Sequence, residues 1–110
     1  MEMLLLFVQS RRMIVTEDHA DELVERFSKA GILEEQEGFI DSTVMVKKAN
    51  RGDEEVMVLV RWESEQNCKE WQKSEVHIAG HKAKLGKPKP DYLIHTEFSS
   101  YEIKSIKKRP

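Results

Sequence analysis

The chain has 110 residues and a mass of 12.9 kDa, the size of one compact domain. Charged residues make up 35% of it, above the roughly 25% of an average globular domain, so we expect a thin hydrophobic core. The 18 Lys and Arg nearly balance the 20 Asp and Glu, and the net charge is −2. Because so small a charge gives no strong field, we predict binding neither to nucleic acid nor to an anionic membrane. We predict no membrane insertion either, because the apolar run near the start is too short to span a bilayer.

The single cysteine and a short apolar run near the start indicate the cellular compartment in which the protein is expected. One cysteine, Cys68, excludes an internal disulfide and a multi-cysteine metal site, which is typical of a reducing compartment. The run from Met3 to Val8 is too short to span a membrane, and acidic Glu2 stands where a signal peptide would carry a positive residue. We therefore predict a cytoplasmic protein and interpret the run as part of the first buried strand.

Hydrophobic periodicity predicts a strand, a helix, two strands, a pair of short helices or one bent helix, and a final strand. We expect Thr16 to cap the first helix and Gly31 to end it. Ser64 and Ser74 are the expected caps of the later helices, and Gly52 should supply the positive φ between the two middle strands. The predicted strands are Leu4–Val15, Phe39–Lys48, Glu54–Trp62 and Tyr92–Ile103, and the later helices are Glu65–Lys73 and Glu75–Leu85.

The order β-α-β-β-α-β is that of the ferredoxin-like, or split βαβ, fold, an α+β class with a four-stranded antiparallel sheet. In the predicted third strand, apolar residues stand on both faces, at every second position from Val56 to Trp62 and at Met57 and Leu59 between them. Helices on one side of the sheet would leave the other apolar face in water. We therefore predict a homodimer whose sheets pack face to face or close into a barrel.

The four histidines are the candidate metal ligands or bases of the chain. His19 falls in the first turn of a charged helix, where solvent exposure explains a histidine without a function. His95 falls within a strand, where packing against the neighbouring strand explains it. His77 and His81 share one helix face, but Ile78 stands where the zinc proteases of the His-Glu-x-x-His type require Glu. That departure argues against zinc hydrolysis.

The helix surface around His81 permits two interpretations. Ala79 and Gly80 leave that surface bare, so a flat ligand such as a porphyrin could approach while the imidazole reaches its iron. The same small residues would also let the helix lie close to the sheet. Spacing alone favours this second, structural interpretation.

Several motifs along nearly the whole chain are shared with one enzyme family. They are Thr16, Glu25–Phe27, Glu37–Phe39, Asp53–Val56, Arg61–Trp62, Trp71 with Ser74, and Ala79–Lys82. On these residues the chain resembles the Isd-type haem-degrading monooxygenases, most closely their HmoA-like branch, within the antibiotic biosynthesis monooxygenase superfamily. The pair Trp71 and His81, ten positions apart, is specific to the haem-degrading branch, whereas the rest of the superfamily shares the fold.

The resemblance implies a dimeric α+β barrel and assigns roles to individual residues. His81 matches the axial ligand of the haem iron, Trp71 the bulky residue that presses on the porphyrin, and Phe27 an apolar wall of the pocket. Arg11 falls where Isd-type enzymes carry an Asn near the distal ligand, which makes it a candidate catalytic and haem-binding residue. A guanidinium is longer than an amide and always charged, so Arg11 could reach the oxygen side of the iron, reach a propionate, or point to solvent beside Arg12.

The implied reaction opens the porphyrin ring with O2 and releases iron and a linear tetrapyrrole. Haem would be both substrate and oxygen-activating cofactor. Electrons would come from a reductase or a small reductant, because the chain has no nucleotide-binding glycine motif. The catalytic domain, of the antibiotic-biosynthesis-monooxygenase type, is expected over residues 1–104, with a basic tail over 105–110.

Two other functions remain open at this point. A haem-binding protein that buffers haem without turning it over would present the same His81 pocket. A cofactor-free monooxygenase of the same superfamily, acting on a small phenol or quinol, would not need His81.

Overall fold

The computed structural model describes residues 6–47, 52–84 and 90–110, and the side chains of residues 80–84 lie outside that description. Four strands form one antiparallel sheet in the order β2-β3-β1-β4, which confirms the predicted ferredoxin-like α+β fold. The strands are β1 (Phe7–Val15), β2 (Phe39–Val46), β3 (Glu54–Trp62) and β4 (Leu93–Glu102). The helices are α1 (Ala20–Ser28), α2 (Glu65–Lys73), α3 (Glu75–Lys84) and a short 3-10 helix, Leu33–Glu35.

The core lies between the helices and one face of the sheet, and it is divided into two clusters of buried residues. The register of the central strands pairs Phe7 with Trp62 and Met13 with Val56, so both pairs stand on this face. The first cluster joins β1, α1 and β3, and the second joins β1, β3 and α2. The members are Met13, Val15, Ala20, Leu23, Val56 and Val58 in the first, and Phe7, Trp62 and Cys68 in the second.

The opposite face of the sheet carries ion pairs among half-buried apolar side chains. Arg12 donates to Glu55 at 2.9 Å and to Glu97 at 2.7 Å, across three strands. Met57 and Leu59 of β3 stand on this face and are half-buried, as their alternation with the buried valines predicted. The buried residues of the helices all pack against the other face of the sheet.

The predicted start of the first helix is wrong. The helix begins at Ala20 rather than directly after Thr16, because Asp18 takes a φ of 71° and turns the chain between them. The Thr16 hydroxyl contacts His19 Nδ1 at 2.9 Å instead of capping. The free N–H of Ala20 donates to the Glu54 carboxylate of β3 at 2.9 Å, so a residue distant in the sequence caps the helix.

Other predicted ends agree more closely with the structure. α1 ends at Ser28 rather than at Gly31, because Lys29 already has extended backbone with ψ of 139°. Gly52 has the expected positive φ, 88°. The remaining predicted ends fall within one or two residues of those observed or lie outside the described residues, as do Leu4, Lys48, Asn50, Arg51 and Leu85.

Candidate functional site

A cavity of about 730 Å³ lies between the helices and the sheet. This volume is typical of sites that bind small molecules and cofactors. Val58 and Val60 of β3 line it from the sheet side. Phe27 packs on the first core cluster and Trp71 on the second, and both line the cavity, which therefore occupies the space between the two clusters.

Trp71 reaches the cavity from the last turn of α2, and Ser74 fixes the chain directly after it. The Ser74 hydroxyl donates to the Trp71 carbonyl at 2.7 Å and accepts from the His77 N–H at 3.2 Å. Ser74 has extended backbone, with ψ of 148°, so α2 and α3 are two helices rather than one bent helix. One serine thus ends the helix that carries Trp71 and caps the helix that carries His77, as its position in the sequence predicted.

The rings of Trp71 and His77 contact each other on the cavity wall. Their centroids are 4.9 Å apart and their planes are inclined by 57°. A histidine at this position therefore belongs to the wall that the tryptophan forms. The sequence signal for this position is the spacing of His77 from His81, which puts both residues on one helix face.

Arg11 lies on the cavity side of β1, among aromatic rings. Its guanidinium carbon is 5.1 Å from the centroid of the Phe27 ring and 5.2 Å from that of Phe98 in β4. Arg26 of α1 also stands over Phe27, at 5.1 Å. Arg12 faces the opposite side of the sheet, where it pairs with carboxylates. Arg11 therefore points toward the cavity and not to solvent beside Arg12, and either of the two expected contacts with haem would start from this orientation.

The Arg11 guanidinium has no counter-charge in the described part of the chain. Its Nε is buried and has no hydrogen-bond acceptor there. Burial lowers the pKa of Arg11, and the nearby charge of Arg26 lowers it further. Since arginine stays protonated in proteins, the group remains a cation in a largely desolvated position.

The other predicted ligand positions are distributed as follows. His81 is part of α3, and its side chain lies outside the described residues. His19 stacks on Tyr92, with centroids 5.1 Å apart, and His95 lies 3.8 Å from Glu97 on the face opposite the cavity. Neither histidine lines the cavity.

Phe98 and Arg26 are cavity residues that sequence reasoning missed. Phe98 pairs with Arg11 across β1 and β4, a register that no local pattern reveals. The signal for Arg26 is its place beside Phe27 in the shared motif.

Among the described residues, no cluster of three or more His, Cys, Asp or Glu side chains could hold a metal ion. None of the helices within the described ranges is long and apolar enough to cross a membrane.

The chain is similar to several characterised proteins over nearly its whole length. HmoA, a haem-degrading monooxygenase of Bacillus subtilis (strain 168), is 60% identical over 102 residues, which is 93% of this chain and 94% of HmoA. A Bacillus cereus crystal structure assigned to the antibiotic biosynthesis monooxygenases has a TM-score of 0.83 and 46% identity, and the match covers 96% of this chain and 97% of that one. MhuD, a haem degrader of Mycobacterium tuberculosis solved with two haems in its active site, shares the fold at a TM-score of 0.62 and 19% identity, over 92% of this chain and 99% of MhuD.

The family assignment follows from the same comparisons. The model of the family described as antibiotic biosynthesis monooxygenase matches residues 6–83, which include β1, α1, the β2–β3 hairpin, α2 and most of α3. These elements contribute most of the cavity lining. The chain belongs to the antibiotic biosynthesis monooxygenase family.

Proposed function

We propose that this protein is a haem-degrading monooxygenase whose substrate is haem. The cavity between the helices and the sheet carries the proposal, because it brings Trp71, Phe27 and Arg11 together. These are three of the four residues expected to contact haem. The 60% identity to the haem-degrading HmoA supports the same substrate.

The chemistry of the cavity suits a flat, largely apolar ring with acidic edges. Two aromatic side chains, Trp71 and Phe27, and two valines of β3 provide apolar surface. Within the described residues, the buried Nε of Arg11 has no hydrogen-bond acceptor, and a bound acidic group would compensate the positive charge of this guanidinium. A porphyrin with its carboxylate side chains has both properties.

We propose His81 as the axial ligand of the haem iron. It follows His77 by four residues in α3, the spacing of residues on one helix face, and the His77 ring lines the cavity. One neutral imidazole is sufficient to hold haem iron. In this proposal α3 provides the ligand and α2 provides the tryptophan that rests against the ring.

The remaining roles concern the shape and orientation of the bound ring. Trp71 is held between the Ser74 hydrogen bonds and the His77 ring, so it would press on the porphyrin without yielding and bend it out of plane. Phe27 would form the apolar wall. Arg11 would hold the ring from the sheet side and so determine which meso carbon is presented for cleavage.

Bound haem supplies the oxygen-activating iron for the opening of its own ring. The chain's own residues bind the ring, orient it and keep water from it. Oxygen and electrons arrive from outside, the electrons from a reductase or a small reductant. The products are free iron and a linear tetrapyrrole. We further propose that the protein works in the cytoplasm as a homodimer.

The test is turnover of the haem complex by the intact protein. Adding a reductant such as ascorbate in air should remove the Soret band, and mass spectrometry should then find a linear tetrapyrrole. His81→Ala should weaken haem binding strongly, whereas His19→Gln, outside the cavity, should not. A Soret band that persists would replace the enzyme with a haem buffer, and unchanged affinity in His81→Ala would remove His81 as the ligand.

A further inference from the structure

The side chain of Gln9 joins the cavity to the buried core. Gln9 is half-buried on β1 and lines the cavity, and its Oε1 accepts the indole N–H of Trp62 at 3.1 Å. Trp62 is fully buried in the second core cluster. One end of this hydrogen bond therefore lies in the core, and the amide at its other end lies at the cavity.

The bond from Trp62 determines which atom of the Gln9 amide is left for the cavity. The indole nitrogen is a donor only, so the amide atom that receives it is the oxygen, and the amide nitrogen points away from Trp62. Within the described residues, this nitrogen donates to no protein group. The buried side-chain polar atoms that lack a partner there are Arg11 Nε and Thr96 Oγ1, so the Gln9 nitrogen keeps accessible surface.

The floor of the cavity is formed by four side chains of the central strands, which are Gln9, Arg11, Val58 and Val60. Gln9 pairs with Val60 and Arg11 with Val58, so two apolar side chains of β3 complete the floor. The Arg11 guanidinium lies 5.2 Å from the Phe98 ring of the edge strand β4. Gln9 is therefore the neutral hydrogen-bond donor of this floor, next to apolar surface.

The proposed function, on which this inference rests, puts the floor on one particular side of the bound ring. His81 would hold the haem iron from α3, on the helix side of the cavity. The other side of the ring then faces the floor that β1 and β3 form. Oxygen has to reach the iron on this second side, so the polar groups of the floor decide what an oxygen molecule meets there.

We propose that Gln9 is the hydrogen-bond donor for the ligand on the free side of the haem iron, and that Trp62 is the positioning residue that keeps its amide in the donating orientation. An amide N–H stabilises a ligand that draws electron density from the iron, and it brings no charge into apolar surroundings. A freely rotating amide could instead present its oxygen, which would repel the same ligand. The bond from Trp62 makes that choice before haem enters.

The experiment uses carbon monoxide on ferrous haem in the intact protein, without oxygen, so that no ring opening occurs. A donor beside this ligand lowers its C–O stretching frequency in the infrared, and an acceptor raises it. Gln9→Glu keeps an oxygen for Trp62 and places a second oxygen where the amide nitrogen was, so the frequency should rise. Gln9→Leu, which has neither donor nor acceptor, should raise it less. Azide should bind the ferric complex about tenfold more weakly in both variants.

Trp62→Phe tests the positioning role. It removes the indole N–H but keeps an aromatic ring, so the Gln9 amide can turn and the single C–O band should split into two. A merely structural loss would lower the melting temperature without splitting the band, and would overturn this role. The indole N–H resonance of Trp62 in the haem-free protein gives a reading that leaves the core intact. It should shift in Gln9→Leu, and an unchanged resonance would remove Trp62 as the positioning residue.

Two other glutamines provide matched controls. Gln72 lines the cavity from α2, and Gln66 is exposed on the same helix outside the cavity lining. Neither Gln72→Leu nor Gln66→Leu should move the C–O band. A shift with Gln72→Leu in place of Gln9→Leu would overturn the proposal by assigning the donor to α2, and so would an unchanged band in both Gln9 variants. If haem persists in air with reductant while the band still responds to Gln9, the proposed function fails and the donor stands.

Discussion

Gly38, directly before β2, combines a positive φ with a close neighbour. Its φ is 83°, and a Cβ added there would lie 2.2 Å from Cγ of Asn67. Asn67 is held in place, because the Ser64 hydroxyl donates to its side-chain oxygen at 2.7 Å and accepts its N–H at 3.2 Å. We expect Gly38→Ala to lower the free energy of unfolding by about 1–3 kcal/mol, measured by urea denaturation.

Gly31 provides the matched control for this substitution. Its φ is not in the left-handed region, and an added Cβ would meet nothing within 4 Å. Gly31→Ala should therefore change the free energy of unfolding by no more than about 0.5 kcal/mol. Equal losses in the two variants would show that the loss at Gly38 does not come from backbone strain and crowding.

At the scale of single residues, the sequence reveals what is decided locally. Ser64 and Ser74 could be predicted as caps because each bonds an N–H three residues further on. Thr16 could not be excluded in the same way, since the group that satisfies the start of α1 is Glu54, 34 residues beyond Ala20. The surroundings of Arg11 were hidden for the same reason, because its neighbours Phe27 and Phe98 come from two other elements.

At the scale of elements, the break between α2 and α3 determines how the cavity wall is built. Ser74 ends one helix and caps the next, so the Trp71 and His77 rings meet at a fixed angle. Ser74→Ala should cost about 1 kcal/mol of stability through the lost cap and should also release the Trp71 ring. Near-ultraviolet circular dichroism and tryptophan fluorescence report the second effect.

Ser64→Ala separates the two consequences. It removes a comparable cap, at the start of α2, but leaves the junction between α2 and α3 intact. We expect a similar loss of stability with little change in the Trp71 signal, because Trp62, the other tryptophan, is fully buried and bonded to Gln9 in both variants. Identical spectra for the two variants would contradict a positioning role of Ser74.

The elements themselves were largely predictable, and their pairing was not. Alternation along β3 and the helical spacing of Ala20, Leu23 and Phe27 are local patterns, so the order of elements and the ferredoxin-like fold followed from them. The cavity depends on α1 and α2 packing on different halves of the sheet. That separation comes from tertiary contacts, which no periodicity in the sequence records.

At the scale of the molecule, the second face of the sheet bears on assembly. Met57 and Leu59 stand there beside the Arg61–Asp41 ion pair, and Met45 is 41% exposed. We expect a homodimer that covers this face, so size-exclusion with light scattering should give about twice 12.9 kDa.

Two substitutions locate the interface. Leu59→Glu would place a charge on the face opposite the helices and should shift the protein to a monomer. Val76→Glu, at an exposed position of α3 outside the cavity lining, should leave the dimer intact. A wild-type monomer, or loss of the dimer with Val76→Glu alone, would place the contact elsewhere or remove it.

The cavity between the two core clusters is the place where a bound ligand would affect the stability of the fold. Phe27 and Trp71 pack on separate clusters and both line this cavity, so a ligand there would contact residues of both halves of the core. A ligand that binds the folded chain alone stabilises it by mass action, about 2.7 kcal/mol when free ligand is a hundred times its dissociation constant. We therefore expect ferric haem, without reductant, to raise the melting temperature progressively with its concentration. Arg11→Gln should need more haem for the same shift in melting temperature. If the melting temperature stays constant while the Soret band reports binding, haem occupies a surface site rather than the cavity between the clusters.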